Sequence, residues 1–337
     1  PNIFLLLFLL FSALSLFNSG AHLKISLNAL FGKWLQYLGI CIIIQDGIYN
    51  QKIIKRGIAI FLFSAALVVL SGLSQYLFGV EFLRGNVMAT LNNGTEAITS
   101  SFSHYNAFGG YLVVVLSLVC ALLLKNNYPK LKIFSLSVLA ILSTVTIIFT
   151  FSRGSWLATF ISFIFIVIFS KGNIKRLIPV FLLVAALFLL PVFSARLSLT
   201  FKPGGDSDRF RYWLVALDMI KAHPFFGVGA GTFMANFAKY LPNYNAAYAH
   251  NCYLQIWAET GIFALLSFSG FIFSFLYLAI RRFIVLKDFV LLGLLAGAVG
   301  FLVHSFFDTN FYSLRLAFLF WVWIGLILTL ISQKQEE

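Results

Sequence analysis

Long apolar runs separated by short polar segments cover most of the chain. A helix that spans a bilayer needs roughly 20 apolar residues. Such windows lie at residues 3–17, 29–45, 57–78, 107–124, 131–151, 155–170, 177–193, 252–280, 288–307 and 313–332. The runs are continuous rather than alternating, and backbone groups in lipid must be satisfied within their own segment, so helices are favoured over transmembrane strands. The pattern predicts an all-α, polytopic transmembrane helix bundle with about ten spans.

One long polar interval interrupts this pattern and divides the chain into three parts. We predict an N-terminal transmembrane bundle at 1–193, a long loop outside the cytoplasm at 194–251, and C-terminal transmembrane helices at 252–337. The chain begins at Pro1 and enters a short apolar window at once. We therefore expect its first helices to be missing.

The long loop contains one amphipathic segment. Ser207 can cap a helix that runs to about Ala222, where His223 and Pro224 end it. Its apolar residues recur at helical spacing, which predicts that one face is buried or lies on the membrane surface. These residues are Phe210, Trp213, Leu214, Leu217 and Ile220.

Composition and charge agree with a membrane protein. Hydrophobic residues make up 61% of the chain and charged residues only 10%, which excludes a water-soluble domain of this length. The net charge of +13 raises the question of nucleic-acid binding, but the basic residues lie in short runs between apolar segments rather than on one soluble face. We expect the lipid bilayer, and no nucleic acid, as a partner. The three cysteines are scattered and imply neither a disulfide framework nor a zinc site.

The basic residues also predict the topology, because they concentrate in every second connection and mark the cytoplasmic side. The basic connections contain Lys52, Lys55 and Arg56; Lys125, Lys130 and Lys132; Lys171, Lys175 and Arg176; Arg281, Arg282 and Lys287; and Lys334. The remaining connections then share the outer face. They carry Arg84, Arg153, Arg209, Arg211, His250, Asp308 and Arg315, which a helix bundle can gather at one end.

Three of these arginines fit a phosphate group. Arg209 and Arg211 fall in the first turn of the predicted loop helix, where cations oppose the helix dipole and an anion beside free N–H groups relieves the cost. Pairing with Asp206, Asp208 or lipid headgroups is the alternative. Arg153 lies in a tight turn between two apolar runs, a position typical of a residue with a partner or ligand. Snorkelling to headgroups is its alternative.

His250 begins the segment HNCYLQIWAETG, where the chain re-enters the membrane. Histidine exchanges a proton near neutral pH, so it can deprotonate or orient a sugar hydroxyl, although a lone histidine is more often structural. Its polar neighbours favour a functional role, since polar side chains are costly at the top of a span. They are Asn251, Tyr253, Gln255 and Glu259, and Glu259 can pair with one of the arginines.

Two weaker patterns have structural interpretations. GVGAG at 227–231 resembles a phosphate-binding loop but follows no strand, so we interpret it as a flexible outer loop. His304 and Asp308 share a helical face, and we expect a hydrogen-bonded pair at a helix end in preference to a metal site.

The order of these motifs resembles that of the O-antigen ligase and polymerase superfamily of bacterial membrane glycosyltransferases. The resemblance covers roughly residues 85–330, including SFSHYNAFGGYL at 101–112. It rests on Ser152-Arg153-Gly154, on Arg209, Arg211 and Trp213, on Pro224 to Phe233, on His250 to Gly261, and on His304 to Asp308.

The resemblance implies a multi-pass enzyme of the bacterial cytoplasmic membrane with an outward-facing site. Such an enzyme moves a glycan from an undecaprenyl diphosphate-linked donor to an acceptor hydroxyl on a glycan or lipid. We expect Arg153 and Arg211 to act on the diphosphate and His250 on the acceptor, without a metal or cofactor. Further substrate contacts are expected from Arg209, Asn251, Tyr253, Glu259 and Arg315.

Two other functions stay open at this point. A transporter or flippase of lipid-linked oligosaccharide would share the bundle and the basic outer cavity, but it needs polar residues along a path through the membrane. A non-catalytic scaffold of an envelope complex would not need the outer arginines and His250 together.

Overall fold

The computed structural model describes residues 2–48, 50–91, 94–170, 172–189, 191, 207–245 and 247–332. Within these residues lie thirteen α-helices: α1 (Asn2–Leu14), α2 (Leu23–Ala29), α3 (Leu35–Gly47), α4 (Gln51–Phe78), α5 (Tyr105–Leu123), α6 (Lys130–Phe149), α7 (Arg153–Phe169), α8 (Ile178–Phe188), α9 (Ser207–Ala222), α10 (Phe233–Tyr240), α11 (Cys252–Leu286), α12 (Phe289–His304) and α13 (Leu314–Ser332). The described strands are two short antiparallel ones, β1 (Ala89–Thr90) and β2 (Glu96–Ala97).

Six helical segments among the described residues are long and apolar enough to cross a membrane. They are Gly20–Gly47, Gln51–Phe78, Tyr105–Leu123, Lys130–Phe149, Cys252–Leu286 and Leu314–Ser332. Shorter apolar helices occupy Ile3–Asn18, Arg153–Phe169 and Phe289–His304. The all-α, polytopic class is therefore confirmed, whereas the count of about ten spans stays a prediction.

The chain packs as two compact units, each assembled from distant stretches of sequence. The first unit contains residues 1–45, 203–282 and 305–325, and the second contains residues 46–202, 283–304 and 326–337. The predicted division at residues 193 and 251 concerns membrane topology and stays a prediction. The start of the predicted loop, 194–206, lies outside the described residues.

The second unit is built around α5, which packs against α6, α7 and α12. Most of α5 is buried, including an unbroken run from Leu112 to Leu123. Glycines let the helices approach closely. A Cβ at Gly293 would lie 2.9 Å from the Leu118 Cα, and one at Gly300 would overlap the Ser162 hydroxyl. Small residues at these contacts maximise van der Waals packing between helices.

In the first unit, α9 buries a different face from the predicted one. Val215, Ala216, Met219 and Ile220 are buried in a core with residues of α10 and α11. The predicted face contributes only Ile220 to this core. The residues Phe210, Leu214 and Leu217 are instead 62%, 45% and 38% exposed. These three residues form an exposed apolar stripe. Of the two predicted environments for this face, burial and contact with the membrane surface, the second stays a prediction.

Candidate functional site

His250 and Asp308 form the central pair of the first unit. The Nδ1 atom of His250 lies 3.2 Å from Oδ1 of Asp308, although 58 residues separate them in sequence. The side chain of Asp308 is 9% exposed and that of His250 is 27% exposed. A carboxylate only accepts hydrogen bonds, so Nδ1 is the donor. The other ring nitrogen, Nε2, then carries a lone pair that can accept a proton.

The backbone around His250 is held in an unusual conformation. The φ of His250 is +49°, in the left-handed region that few residues other than glycine adopt. On one side, the N–H of Ala249 donates to Oε1 of Gln255 at 3.1 Å. On the other side, Asn251 caps α11, because its Oδ1 accepts the N–H groups of Tyr253 and Leu254, both at 3.0 Å. Strained backbone of this kind is concentrated at functional sites.

Helix α9 contributes Tyr212, which contacts His250, and the adjacent Arg211. The ring of Tyr212 stacks on the imidazole of His250, with centroids 5.9 Å apart. The neighbouring Arg211 is exposed, donates from Nη1 to the Tyr244 hydroxyl at 2.7 Å, and lies over the Tyr244 ring at 5.3 Å. Two adjacent residues of α9 therefore differ in their contacts: the ring of Tyr212 packs on His250, and the guanidinium group of Arg211 contacts Tyr244.

The buried carboxylate of Glu259 links three segments of the chain through hydrogen bonds. Its Oε2 accepts the N–H of Gly231 at 2.8 Å and the Tyr312 hydroxyl at 3.0 Å. Its Oε1 accepts the N–H of Phe233 at 3.2 Å and Nε2 of Gln255 at 3.1 Å. Burial and the nearby carboxylate of Glu259 raise the pKa of Tyr312, so its phenol stays a donor.

The bonds of Glu259 favour a positioning role over direct contact with a substrate. Both oxygens accept bonds from the protein, and the residue is 1% exposed. Through Gln255 the network also reaches the N–H of Ala249, next to His250. The donors to Glu259 are backbone, amide and phenol groups, rather than the arginine expected from the sequence.

The glycine-rich segment docks on a break in α11. Gly261 interrupts the helix with φ 84° and ψ 174°, and the N–H of Ile262 donates to the Pro224 carbonyl at 3.0 Å. The N–H groups of Val228 and Gly229 donate to the carbonyls of Ala258 and Glu259, each at 2.9 Å. A Cβ at Gly261 would overlap the carbonyl of Phe225. The segment is therefore fixed in place rather than flexible. Its N–H groups donate hydrogen bonds to other parts of the protein instead of to a phosphate.

Arg153 belongs to the second unit, where it begins α7 and is half-buried. It lines a cavity of about 500 Å³ whose other walls are almost entirely apolar. Those walls come from α5, α6, α7 and α8 and include Leu116, Ile147, Trp156, Phe160, Phe163 and Phe181. An apolar cavity with one cation in its wall suits a lipid chain that carries an anionic head.

His304 and Asp308 each contact a residue far away in the sequence. Nε2 of His304 lies 3.0 Å from the Ser155 hydroxyl, which in turn donates to Ser152 at 2.8 Å. Asp308 contacts His250 at 3.2 Å. Each residue thus also contacts a more distant part of the chain, and the expected His304–Asp308 pair stays a prediction. Within the described ranges, no three His, Cys, Asp or Glu side chains group as a metal site.

The remaining predicted residues lie at helix starts. Arg209 is half-buried in the first turn of α9, and Arg315 is exposed in the first turn of α13. The ring of Tyr253 contacts that of Phe306 in a tilted arrangement, with centroids 4.3 Å apart. Sequence reasoning missed Tyr212 and Tyr244, and it did not connect Asp308 with His250. The spacing of His304 and Asp308 singled out Asp308, but only the fold shows its partner.

Comparison with known proteins identifies one similar family. No curated protein matches the chain. Residues 138–269 match the family model described as O-antigen ligase. The matched range includes Arg153, Arg211, His250 and Glu259. It confirms the resemblance that the motif order indicated. Together with the apolar helices, it supports a multi-pass enzyme of the bacterial inner membrane. Residues 138–269 are therefore similar to the O-antigen ligase family.

Proposed function

We propose that this protein transfers a glycan from an undecaprenyl diphosphate-linked donor to an acceptor hydroxyl at the outer face of the membrane. The observation that carries the proposal is the contact of 3.2 Å between His250 and Asp308. Asp308 fixes the proton on Nδ1, so Nε2 of His250 can accept the proton of the acceptor hydroxyl. The family match supports a transferase of this kind rather than a transporter.

In the proposed reaction, the acceptor oxygen attacks the anomeric carbon of the donor sugar. The new glycosidic bond forms as the bond from that carbon to the diphosphate oxygen breaks. The acceptor proton moves to His250, and the lipid diphosphate leaves with the bonding electron pair. Negative charge therefore grows on the leaving group, and fixed cations aimed at it lower the barrier.

We assign the arginines to that charge. Arg209 and Arg211 are the third and fifth residues of α9, and an anion is favoured near the start of a helix. Arg153 lies in the wall of the apolar cavity, which suits the polyprenyl chain of the donor. In this assignment the guanidinium groups supply the positive charge, so we expect the reaction to need no metal or cofactor.

We assign supporting roles to the other predicted residues. Asn251 and Glu259 hold the backbone on either side of His250 and position it. Tyr253 and Arg315 stay proposed substrate contacts. Asp308 is a positioning residue, because it acts on the acceptor through the imidazole of His250.

The proposal is tested with purified protein in detergent. The probe is a labelled undecaprenyl diphosphate-linked oligosaccharide, with membranes from a strain that lacks the protein as acceptor. We expect labelled product from the wild type and a rate lower by at least about 100-fold from His250→Ala or Arg211→Ala, while both variants insert and purify normally. Full transfer by both variants would refute the assignment. Product formation also separates transfer from transport, because a flippase yields no new glycan product.

A further inference from the structure

Two lysines share one tyrosine ring at the connection between α5 and α6. The Nζ atom of Lys132 lies 3.8 Å from the centroid of the Tyr128 ring, and that of Lys125 lies 5.3 Å from it. Both lysines are exposed, and Tyr128 is half-buried. Lys55 of α4 also interacts electrostatically with Lys132. We call Lys55, Lys125, Tyr128 and Lys132 the lysine–tyrosine patch.

The backbone beneath the patch is fixed in place. Nη1 of Arg176 donates to the carbonyls of Leu123 at 3.0 Å and Lys125 at 2.7 Å. The N–H of Asn173 donates to the carbonyl of Leu124 at 3.2 Å. These bonds hold the segment that carries Lys125 before any ligand arrives. A ligand therefore meets a preorganised site and orders little backbone when it binds.

The charges of the patch favour an anion. Three ammonium groups lie together, and like charges repel. One acid lies nearby: Asp288, whose carboxylate accepts the N–H of Leu291 at 2.8 Å at the start of α12. Burial raises the pKa of Tyr128 and Asp288 adds to the rise, so the phenol keeps a proton that it can donate to a phosphate oxygen. A phosphate placed between the lysines would relieve their repulsion.

Exposed apolar side chains adjoin the lysines. On α6, Leu131 is 76% exposed and Phe134 is 66% exposed, and on α4 Ile53 is 49% exposed. In a bilayer such residues contact acyl chains, while lysine and tyrosine side chains extend to the level of the headgroups. The surface thus combines an apolar part for chains with a cationic part for a headgroup.

We propose that the lysine–tyrosine patch binds an anionic phospholipid. Its phosphate lies between the ammonium groups of Lys125 and Lys132, and its acyl chains lie along Leu131 and Phe134. A zwitterionic lipid brings its own cation to the lysines, so it binds less tightly. The distribution of basic residues predicts that this end of the unit faces the cytoplasm, so the lipid comes from the inner leaflet. The proposal is independent of the transfer reaction.

The test is native mass spectrometry of the full chain in detergent, titrated with palmitoyl-oleoyl phosphatidylglycerol or phosphatidylcholine. We expect phosphatidylglycerol to bind more tightly than phosphatidylcholine. The double variant Lys125→Gln/Lys132→Gln should weaken its binding by roughly 30-fold, as loss of two lysine–phosphate attractions predicts. Lys125→Arg/Lys132→Arg keeps both charges and should retain binding. The matched control Lys52→Gln/Lys175→Gln removes the same charge from exposed lysines that are not part of the patch and should also retain binding.

Four results would overturn the proposal. Equal weakening in the matched control would show diffuse attraction to a basic face. Equal binding of phosphatidylcholine would show that the headgroup charge is not recognised. Loss of binding in the arginine variant would show that charge at these positions is not what holds the lipid. Displacement of the lipid by equimolar glycerol 3-phosphate would show a site for a soluble anion, in which the acyl chains take no part.

Discussion

Substitution of Asp308 by Asn tests how the imidazole of His250 is held. The variant keeps the size of the side chain but removes the charge that fixes the proton on Nδ1 of His250 at 3.2 Å. The N–H and hydroxyl of Thr309 also donate to the same oxygen, at 2.8 and 3.4 Å, so the variant amide must keep its carbonyl toward Thr309 to satisfy them. The imidazole then loses a charged acceptor but not its surroundings.

The magnitude follows from the contact. A hydrogen bond to a charged group contributes about 1.5–3 kcal/mol net, and each 1.36 kcal/mol in a barrier is a factor of ten in rate. Because Asp308 is 9% exposed and His250 is 27% exposed, water replaces part of the lost interaction. We therefore expect kcat for glycan transfer to fall about 10- to 100-fold. Removal of the base in His250→Ala should cost more, roughly 10²- to 10⁴-fold.

The assay is initial-rate transfer from the labelled lipid-linked donor by purified protein, with kcat and KM separated. Asp218→Asn is the matched control, since Asp218 is half exposed and paired with Lys221 on the surface of α9. It should transfer at the wild-type rate. A wild-type kcat in Asp308→Asn, or an effect confined to KM, would refute the role given to Asp308.

Four further predictions concern stability and lipid binding. In Glu259→Gln the side-chain amide has one acceptor oxygen for the four groups that donate to the carboxylate, so the free energy of unfolding should fall by about 1–3 kcal/mol. Chemical denaturation measures this change, and an unchanged midpoint would contradict the stabilising role of Glu259. In Gly261→Ala the new Cβ overlaps the carbonyl of Phe225, at a residue whose φ is 84°, so this variant should not fold. Gly57 has open space around it, so Gly57→Ala should fold normally; size-exclusion chromatography distinguishes the two outcomes. Burial acts to raise the pKa of Glu81, but hydrogen bonds from Ser71, Leu83, Asn86 and Arg84 together lower it, so the ionised carboxylate stabilises the fold above the ordinary glutamate pKa and this stabilisation is lost as pH falls through the lowered pKa. The melting temperature of Glu81→Gln should therefore depend less on acid pH than that of the wild type, and identical pH profiles would contradict this prediction. Ala185→Trp fills the cavity beside Arg153 and should raise KM for the lipid-linked donor several-fold, with the neighbouring Ala186→Trp as control; equal KM values in the two variants would contradict the cavity as a lipid site.

The local parts of the fold follow from the sequence because apolar runs of bilayer length leave few alternatives to helices. The helix over Ser207–Ala222 ends where His223 and Pro224 predict, since the residue before a proline avoids helical backbone. The buried face of α9 could not be predicted in the same way. Both of its faces carry apolar residues, and packing against α10 and α11 selects the one with Val215 and Met219.

The contacts of the site depend on tertiary structure. His250 and Glu259 are marked by their polar character at the top of a span, which is a local signal. The partners are not local: Asp308 lies 58 residues from His250, and Gly231 lies 28 residues from Glu259. The glycine-rich segment illustrates the same limit, because its docking on α11 requires the helix break at Gly261, which helical periodicity does not reveal.

The most direct test of the central claim is a double-mutant cycle on His250 and Asp308, measured as the initial rate of glycan transfer. If Asp308 acts through the imidazole, Asp308→Asn should lower the rate in the wild type but have no further effect in His250→Ala. If Asp308→Asn lowers the rate by the same factor in both backgrounds, the two residues act independently and the proposed pair is wrong.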